Sequence, residues 1–251
     1  MMLITQATRF VGAQLIKTLN QHNFKYLVAV DDELVSFPPA FVSINLQRRL
    51  LSNELEGWLS ENHAELEGIF HLDEQETTSG EHHFRLLWRA SVDHQIPFIF
   101  RATPSRTAWI EQQASAPFFW AGLSWNHSFG PGDEGWVPRA YKLLAQGSPP
   151  TSEVTEERSL VYSRNIAAAC YFLIRHRQHS GVYSLDSASP ISYEQIATWV
   201  KQAYENPNDS PQVSTASPPH SLQDIGLRTS FFPPEAGVYD YVQNYLRGQE
   251  S

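Results

Sequence analysis

Four stretches of this chain carry residue types that could do chemistry. His71 is followed closely by the acids Asp73, Glu74 and Glu76, and His82-His83 and His94 lie a little further on. Together they invite a metal centre or an acid–base pair. The spacing argues against a metal centre: neighbouring residues on a helix point about 100° apart, so His82 and His83 make a poor chelate. The acids show no ordered ligand spacing, and Leu72-Asp73-Glu74 reads as a solvated acidic loop. Nucleophilic catalysis of the Ser/His/Asp kind needs a strained elbow such as Gly-x-Ser-x-Gly, which the sequence lacks. The lone Cys170 lies in the apolar stretch 166–174 and reads as a small core hydrophobe. Trp120, Trp125 and Trp136, with Phe118, Phe119 and Phe129, make an aromatic-rich middle that either lines a pocket or fills a core.

Composition narrows the partners. The chain has 251 residues, of which 41% are hydrophobic, 12% aromatic and 18% charged. That excludes a disordered or fibrous protein and supports a sizeable core. The net charge is −9, with only four lysines (Lys17, Lys25, Lys142 and Lys201), so no basic run exists to neutralise a nucleic-acid backbone. No apolar run reaches the roughly 20 residues of a membrane span. The opening residues have no basic segment before their apolar run, unlike a signal peptide. With one thiol that cannot staple the chain, this suits a cytoplasmic protein.

The elements that must position any site alternate between two periods. Met1–Thr5, Tyr26–Val30, Phe41–Asn45, Gly68–Leu72 and Ile96–Phe100 read as buried strands. Phe10–Leu19, Leu51–Leu59 and Glu81–His94 read as helices between them. Continuous apolar strands joined by helices imply a parallel sheet covered on both faces. After Arg101, prolines break the chain into shorter pieces. A strand is expected within 116–125, helices over Val137–Ala145, Asn165–Arg177, Tyr193–Tyr204 and Glu235–Arg247, and strands at Leu160–Tyr162 and Val182–Leu185; 205–219 reads as a loop.

The opening strand–turn–helix is where a dinucleotide fold carries its phosphate-binding glycines. Thr5-Gln6-Ala7-Thr8-Arg9-Phe10-Val11-Gly12 resembles the TGxxGFxG opening of the extended short-chain dehydrogenase/reductases, the NAD-dependent epimerase/dehydratases, and most closely the ADP-glycero-manno-heptose 6-epimerases. Further segments agree in order. Val28–Asp31 is similar to the second strand with its ribose-binding acid, Gly68–His71 to the fourth strand and its histidine, and Ile96–Phe100 with Ala102-Thr103 to the fifth strand and its catalytic Ser/Thr. Phe129-Gly130-Pro131, Val161–Ala167 and Gly181–Leu185 resemble later motifs of the same family.

The resemblance implies an α/β protein with a Rossmann-like doubly wound parallel sheet. A dinucleotide-binding-type domain would span 1–130, and a small substrate-type lobe 131–251, partly returning to the sheet. It implies NAD or NADP as cofactor, a nucleotide-sugar ligand, and contacts from Thr5, Arg9, Phe10, Gly12, Asp31 and His71. Asp31 would favour NAD over NADP, and Thr103 would hold the catalytic hydroxyl position; no metal is implied. The sequence departs from the family where the chemistry sits. Gln6 and Arg9 replace the first two glycines. None of the ten tyrosines has lysine four residues later, so the pair in which lysine lowers a tyrosine pKa is missing; Tyr171, with Arg175, comes nearest. Only 25 residues separate Thr103 from Phe129, too few for the helix that carries that pair. The expectation is a degenerate relative, a pseudoenzyme retaining the scaffold for binding or assembly as a homodimer or with a related epimerase. The alternatives are an NAD(P)-dependent epimerase or reductase with replaced catalytic groups, and a non-turnover nucleotide sensor.

Overall fold

The structure, a computed structural model, describes residues 1–41, 43–73, 77–113, 118–150, 156–186, 189–206, 217–228 and 230–247. In chain order the strands are β1 (Met2–Thr5), β2 (Leu27–Asp31), β3 (Arg48–Leu51), β4 (Gly68–His71), β5 (Phe98–Arg101), β6 (Trp120–Ser124), β7 (His127–Phe129), β8 (Glu157–Arg158), β9 (Leu160–Tyr162), β10 (Gly181–Ser184) and β11 (Ile191–Ser192). The helices are α1 (Phe10–Gln21), α2 (Leu55–Asn62), α3 (Thr78–His94), α4 (Pro104–Glu111), α5 (Trp136–Ala145), α6 (Ser163–His176), α7 (Tyr193–Glu205), α8 (His220–Asp224) and α9 (Pro234–Tyr241).

Seven of the strands form one parallel sheet in the order β10-β6-β5-β4-β1-β2-β3. Its central strands are apolar on both sides, and every residue of β1, β2 and β4 is buried, as a sheet covered by helices on both faces requires. On one face, Val11, Leu15 and Leu19 of α1 pack with Ile166, Cys170 and Leu173 of α6. Their spacing of three to four puts each set on one side of its helix. On the other face, Leu55 and Leu59 of α2, Phe84, Leu87 and Trp88 of α3 and Ile110 of α4 cover β4 and β5. A third core joins α5, α7, α9 and β9 through Val137, Ile196, Val200, Val238 and Tyr241. Gly181–Ser184 and α6 thus return from the C-terminal half to complete the sheet and its cover.

Two expectations need correction. The third strand is Arg48–Leu51, not Phe41–Asn45. Phe41 is buried at the end of a 3-10 turn, and the Asn20 side chain binds the backbone N–H and C=O of Asn45, which keeps that segment out of the sheet. A short helix, α4, follows Thr103 where none was expected. Its signal was present: Thr103 caps the helix and Pro104 sits at its first position. Of the two readings of the aromatic middle, the structure agrees with core filling, with Phe118, Trp125 and Phe129 buried. Phe118 and Trp120 join Trp88 and Phe100 at ring distances of 5.3–6.4 Å, Phe129 stacks on Tyr162, and Trp136 meets Tyr193.

Candidate functional site

The C-terminal ends of β1, β2, β4 and β5 lie side by side, the place where open α/β sheets form their ligand crevice. The turn from β1 to α1 is held by the protein itself. Gln6 takes the left-handed conformation (φ 51°), which favours glycine, and its amide reaches Asp32 at 3.4 Å. Asp31, at the end of β2, is buried, and its Oδ1 accepts from both the Thr8 backbone N–H (2.9 Å) and the Thr8 hydroxyl (2.8 Å). Burial raises the Asp31 pKa and these two bonds partly offset the rise. Gly12 is needed for close approach of helix and turn, because a Cβ there would stand 2.4 Å from the Gln6 carbonyl oxygen. Arg9 precedes α1, exposed. Phe10 lies beneath Gly132, whose Cβ position would be 3.4 Å from the Phe10 Cβ and 2.9 Å from Pro38.

The exit of β4 carries a buried polar chain. The Thr5 hydroxyl and His71 Nδ1 are 2.7 Å apart, and His71 Nε2 lies 3.3 Å from Asp73 Oδ1 without hydrogen-bond geometry. The neighbouring carboxylate favours the tautomer protonated on Nε2, so the Thr5 hydroxyl donates to Nδ1. Asp73 is gripped by Arg106 through two parallel bonds of 2.6 and 2.7 Å, and Arg106 Nε donates to Glu81 at 2.7 Å. Arg106 is itself buried and lies over the Phe84 ring at 4.8 Å. Burial pushes the His71 pKa down to about 4, against the pull of Asp73, so the ring is neutral. Burial opposes ionisation of Asp73, yet the Arg106 bonds hold its pKa below the usual value. The solvated acidic loop is therefore corrected at Asp73, which is the buried anchor of a bidentate ion pair. Gly80 completes the fit, since a Cβ there would meet Asp73 Oδ2 at 2.6 Å. Glu74 and Glu76 lie outside the described residues.

Thr103 stands at the mouth of β5, where its hydroxyl caps α4, accepting from the Arg106 N–H at 3.3 Å, and lies 3.0 Å from the Ser105 hydroxyl. Neither tyrosine nor lysine occurs on α4, and Tyr171 is far from this point in the chain, stacked on His22 at 3.8 Å. His82 and His83 face each other edge-on at 5.9 Å, and His94 stacks on His63 at 3.7 Å. Among the described residues no group of three or more His, Cys, Asp or Glu could hold a metal ion, and no helix is long and apolar enough to cross a membrane. Beyond the crevice, a cleft of about 620 Å³ against α5 carries the cations Arg139 and Lys142 beside Asp133 and Glu134. Sequence reasoning placed Thr5, Gly12, Asp31, His71 and Thr103 near one another, and the structure gathers them at the strand ends. It missed Thr8 and Arg106; Arg106 has no local signal, because its partner is 33 residues away.

No family model matches the chain. The seven-stranded parallel sheet covered by helices on both faces is a Rossmann-like fold, and solved sugar-nucleotide epimerases share it. Among curated proteins, the ADP-L-glycero-D-manno-heptose-6-epimerase of Fusobacterium nucleatum is similar at 19% identity, over 337 aligned positions that take in 100% of this chain and 99% of that protein. That alignment is longer than the 251 residues here, so the relative carries segments without a counterpart in this chain. Among solved structures, the UDP-glucose 4-epimerase of Thermus thermophilus in complex with NAD superposes with a TM-score of 0.71 at 15% identity, covering 98% of this chain and 99% of that one. The WbmF enzyme of Bordetella bronchiseptica in complex with NAD+ gives 0.75 at 13%, covering 99% and 93%.

The neighbours bind NAD, and the crevice can be tested for the same group. Thr5, Phe10 and Gly12 keep the packing of the turn. The remaining groups do not fit a dinucleotide in the manner of the family. A glutamine side chain rises from the first glycine position, and the Asp31 oxygen that faces the turn is already engaged by Thr8. Thr5 and His71 are buried and bonded to each other, which leaves Arg9 as the exposed member of the set.

Proposed function

We propose that this chain is a degenerate relative of the sugar-nucleotide epimerases that has given up the standard Tyr/Lys redox chemistry and keeps the scaffold for binding or assembly. The observation that carries this reading is the state of the Thr103 hydroxyl, which caps α4 on a helix that brings no tyrosine or lysine to it. The committed contacts of Asp31 and Gln6 support it as well. A nucleotide-sugar without turnover remains within its reach through the cleft at α5, where Arg139 and Lys142 could meet a phosphate although Asp133 and Glu134 share the wall. Assembly, with a second copy or a related epimerase, would use the side of the sheet where α4 is short. There Val182 is 41% exposed, beside Trp120 and Ile110, around a hollow of about 280 Å³. The buried thiol of Cys170 accords with a cytoplasmic setting.

The test is to incubate the purified chain with NAD+ and UDP-glucose and follow both epimerised sugar and NADH absorbance. No product above a protein-free control is the expected result, and sustained turnover overturns the reading. A fluorescence titration with NADH and NADPH separates the alternatives. Flat curves to millimolar cofactor agree with a scaffold, whereas saturable quenching at micromolar cofactor points to a sensor or an enzyme with replaced groups. The exposed Arg9 ahead of α1 is what favours that second reading, since a guanidinium there could meet a phosphate.

A further inference from the structure

A further cleft, of about 610 Å³, lies between the end of β10 and the starts of α7 and α9. Its size is that of a small-molecule site. Trp199, Phe231 and Phe232 supply its rings, and the proline pairs Pro218-Pro219 and Pro233-Pro234 supply rigid walls without backbone donors. The amide side chains in the wall are already used by the protein. Asn165 pairs with both the N–H and the C=O of Phe232 (2.9 and 2.8 Å), Gln195 closes the cap of α7, and Gln223 donates to the Pro218 carbonyl. The charges among the described lining residues are the carboxylates of Asp186 and Glu235, while the guanidinium of Arg164, paired with Asp240, lies over the Phe232 ring at 5.1 Å and leaves Trp199 and Phe231 as the rings without a cation. Asp186 accepts one backbone N–H, from Asn126, at 2.9 Å. Aromatic faces and carboxylates attract the same kind of partner, a positive charge carried on an apolar body, and they disfavour a phosphate.

We propose that this cleft is a binding site for a small organic cation, an amine or guanidine on an aromatic or aliphatic frame. The inference does not rest on the scaffold reading above, because the cleft shares none of the crevice residues. The experiment is a ligand-observed NMR titration of the full chain with three probes of one shape, 4-phenylbutylamine, 4-phenylbutanol and 4-phenylbutyrate. The amine is expected to bind about fivefold more tightly than the alcohol, with the acid weakest. Glu235→Gln with Asp186→Asn is expected to bring amine and alcohol level, and Trp199→Leu to weaken both. Glu235 is exposed and the asparagine still accepts the Asn126 N–H, so the double variant folds; an unshifted thermal melt checks this. Equal binding of the three probes, absence of binding at about 10 mM, or an amine preference that survives the double variant each overturns the proposal.

Discussion

The crevice at the strand ends and the cleft in the C-terminal half are built on opposite terms. In the crevice nearly every polar group is matched to another from the protein: Thr8 to Asp31, Gln6 to Asp32, Thr5 to His71, Arg106 to Asp73 and Glu81, and Thr103 to the first turn of α4. In the cleft the amides are likewise engaged and Asp186 accepts one backbone N–H, but the exposed Glu235 and the Trp199 ring line the open space with no protein cation on them among the described residues. A group already paired inside the protein must break that pairing before it can hold a ligand, and the lost bond comes off the binding energy. On the reading proposed above, the crevice residues serve stability rather than a ligand, and the cleft is the part of the molecule left open to one.

The contrast can be broken most sharply at Arg106. Arg106→Ala leaves Asp73 buried without its partner, and urea unfolding is expected to show a loss of about 3–5 kcal/mol. Little loss would mean that the crevice network is not structural. Gly12→Ala comes next, with a loss of up to about 3 kcal/mol as α1 and the turn are forced apart. The pH dependence follows. His71 has a lowered folded pKa, so between its unfolded value of 6.5 and about 4 the unfolded chain binds the extra proton. Its contribution is complete above pH 6.5 and shrinks as pH falls toward 4. Unfolding curves at pH 7 and pH 5 should differ by on the order of 2 kcal/mol from this residue, and His71→Gln should remove that part of the difference. Thr103→Ala is expected to cost about 1 kcal/mol, the worth of a helix cap, measured by thermal melting. Gln6→Gly should stabilise by less than about 1 kcal/mol, since glycine takes a positive φ without strain. If that variant also gains NADH binding, the Gln6 side chain is what closes the turn.

Much of the crevice is legible from sequence because its residues sit at strand ends, and buried parallel strands announce themselves as continuous apolar runs. Met2–Thr5, Leu27–Asp31 and Gly68–His71 fall where that pattern puts them. The edge strand Arg48–Leu51 escapes the same logic. It is paired on one side alone and half exposed, so two arginines replace the apolar pattern that the unpaired Phe41 segment imitates. The fate of Asp73 is illegible for a different reason. Local sequence presents a carboxylate in an acidic run, and only the folding of α4 over α3 brings Arg106 to it. The wall of the cleft is assembled from four separate stretches of chain, none of which carries a motif of its own.

The return of Gly181–Ser184 to the edge of the sheet has a consequence for how the chain is made. At roughly 5–20 residues per second on the ribosome, the first six sheet strands emerge well before the seventh and before α6. Until then Val11, Leu15 and Leu19 of α1 face water where Ile166, Cys170 and Leu173 will lie, and the outer side of β6 has no neighbour. The nascent chain thus carries an open, sticky flank for many seconds. A chaperone would engage it in that interval, and a nascent chain stalled near residue 130 would be a target for proteolysis.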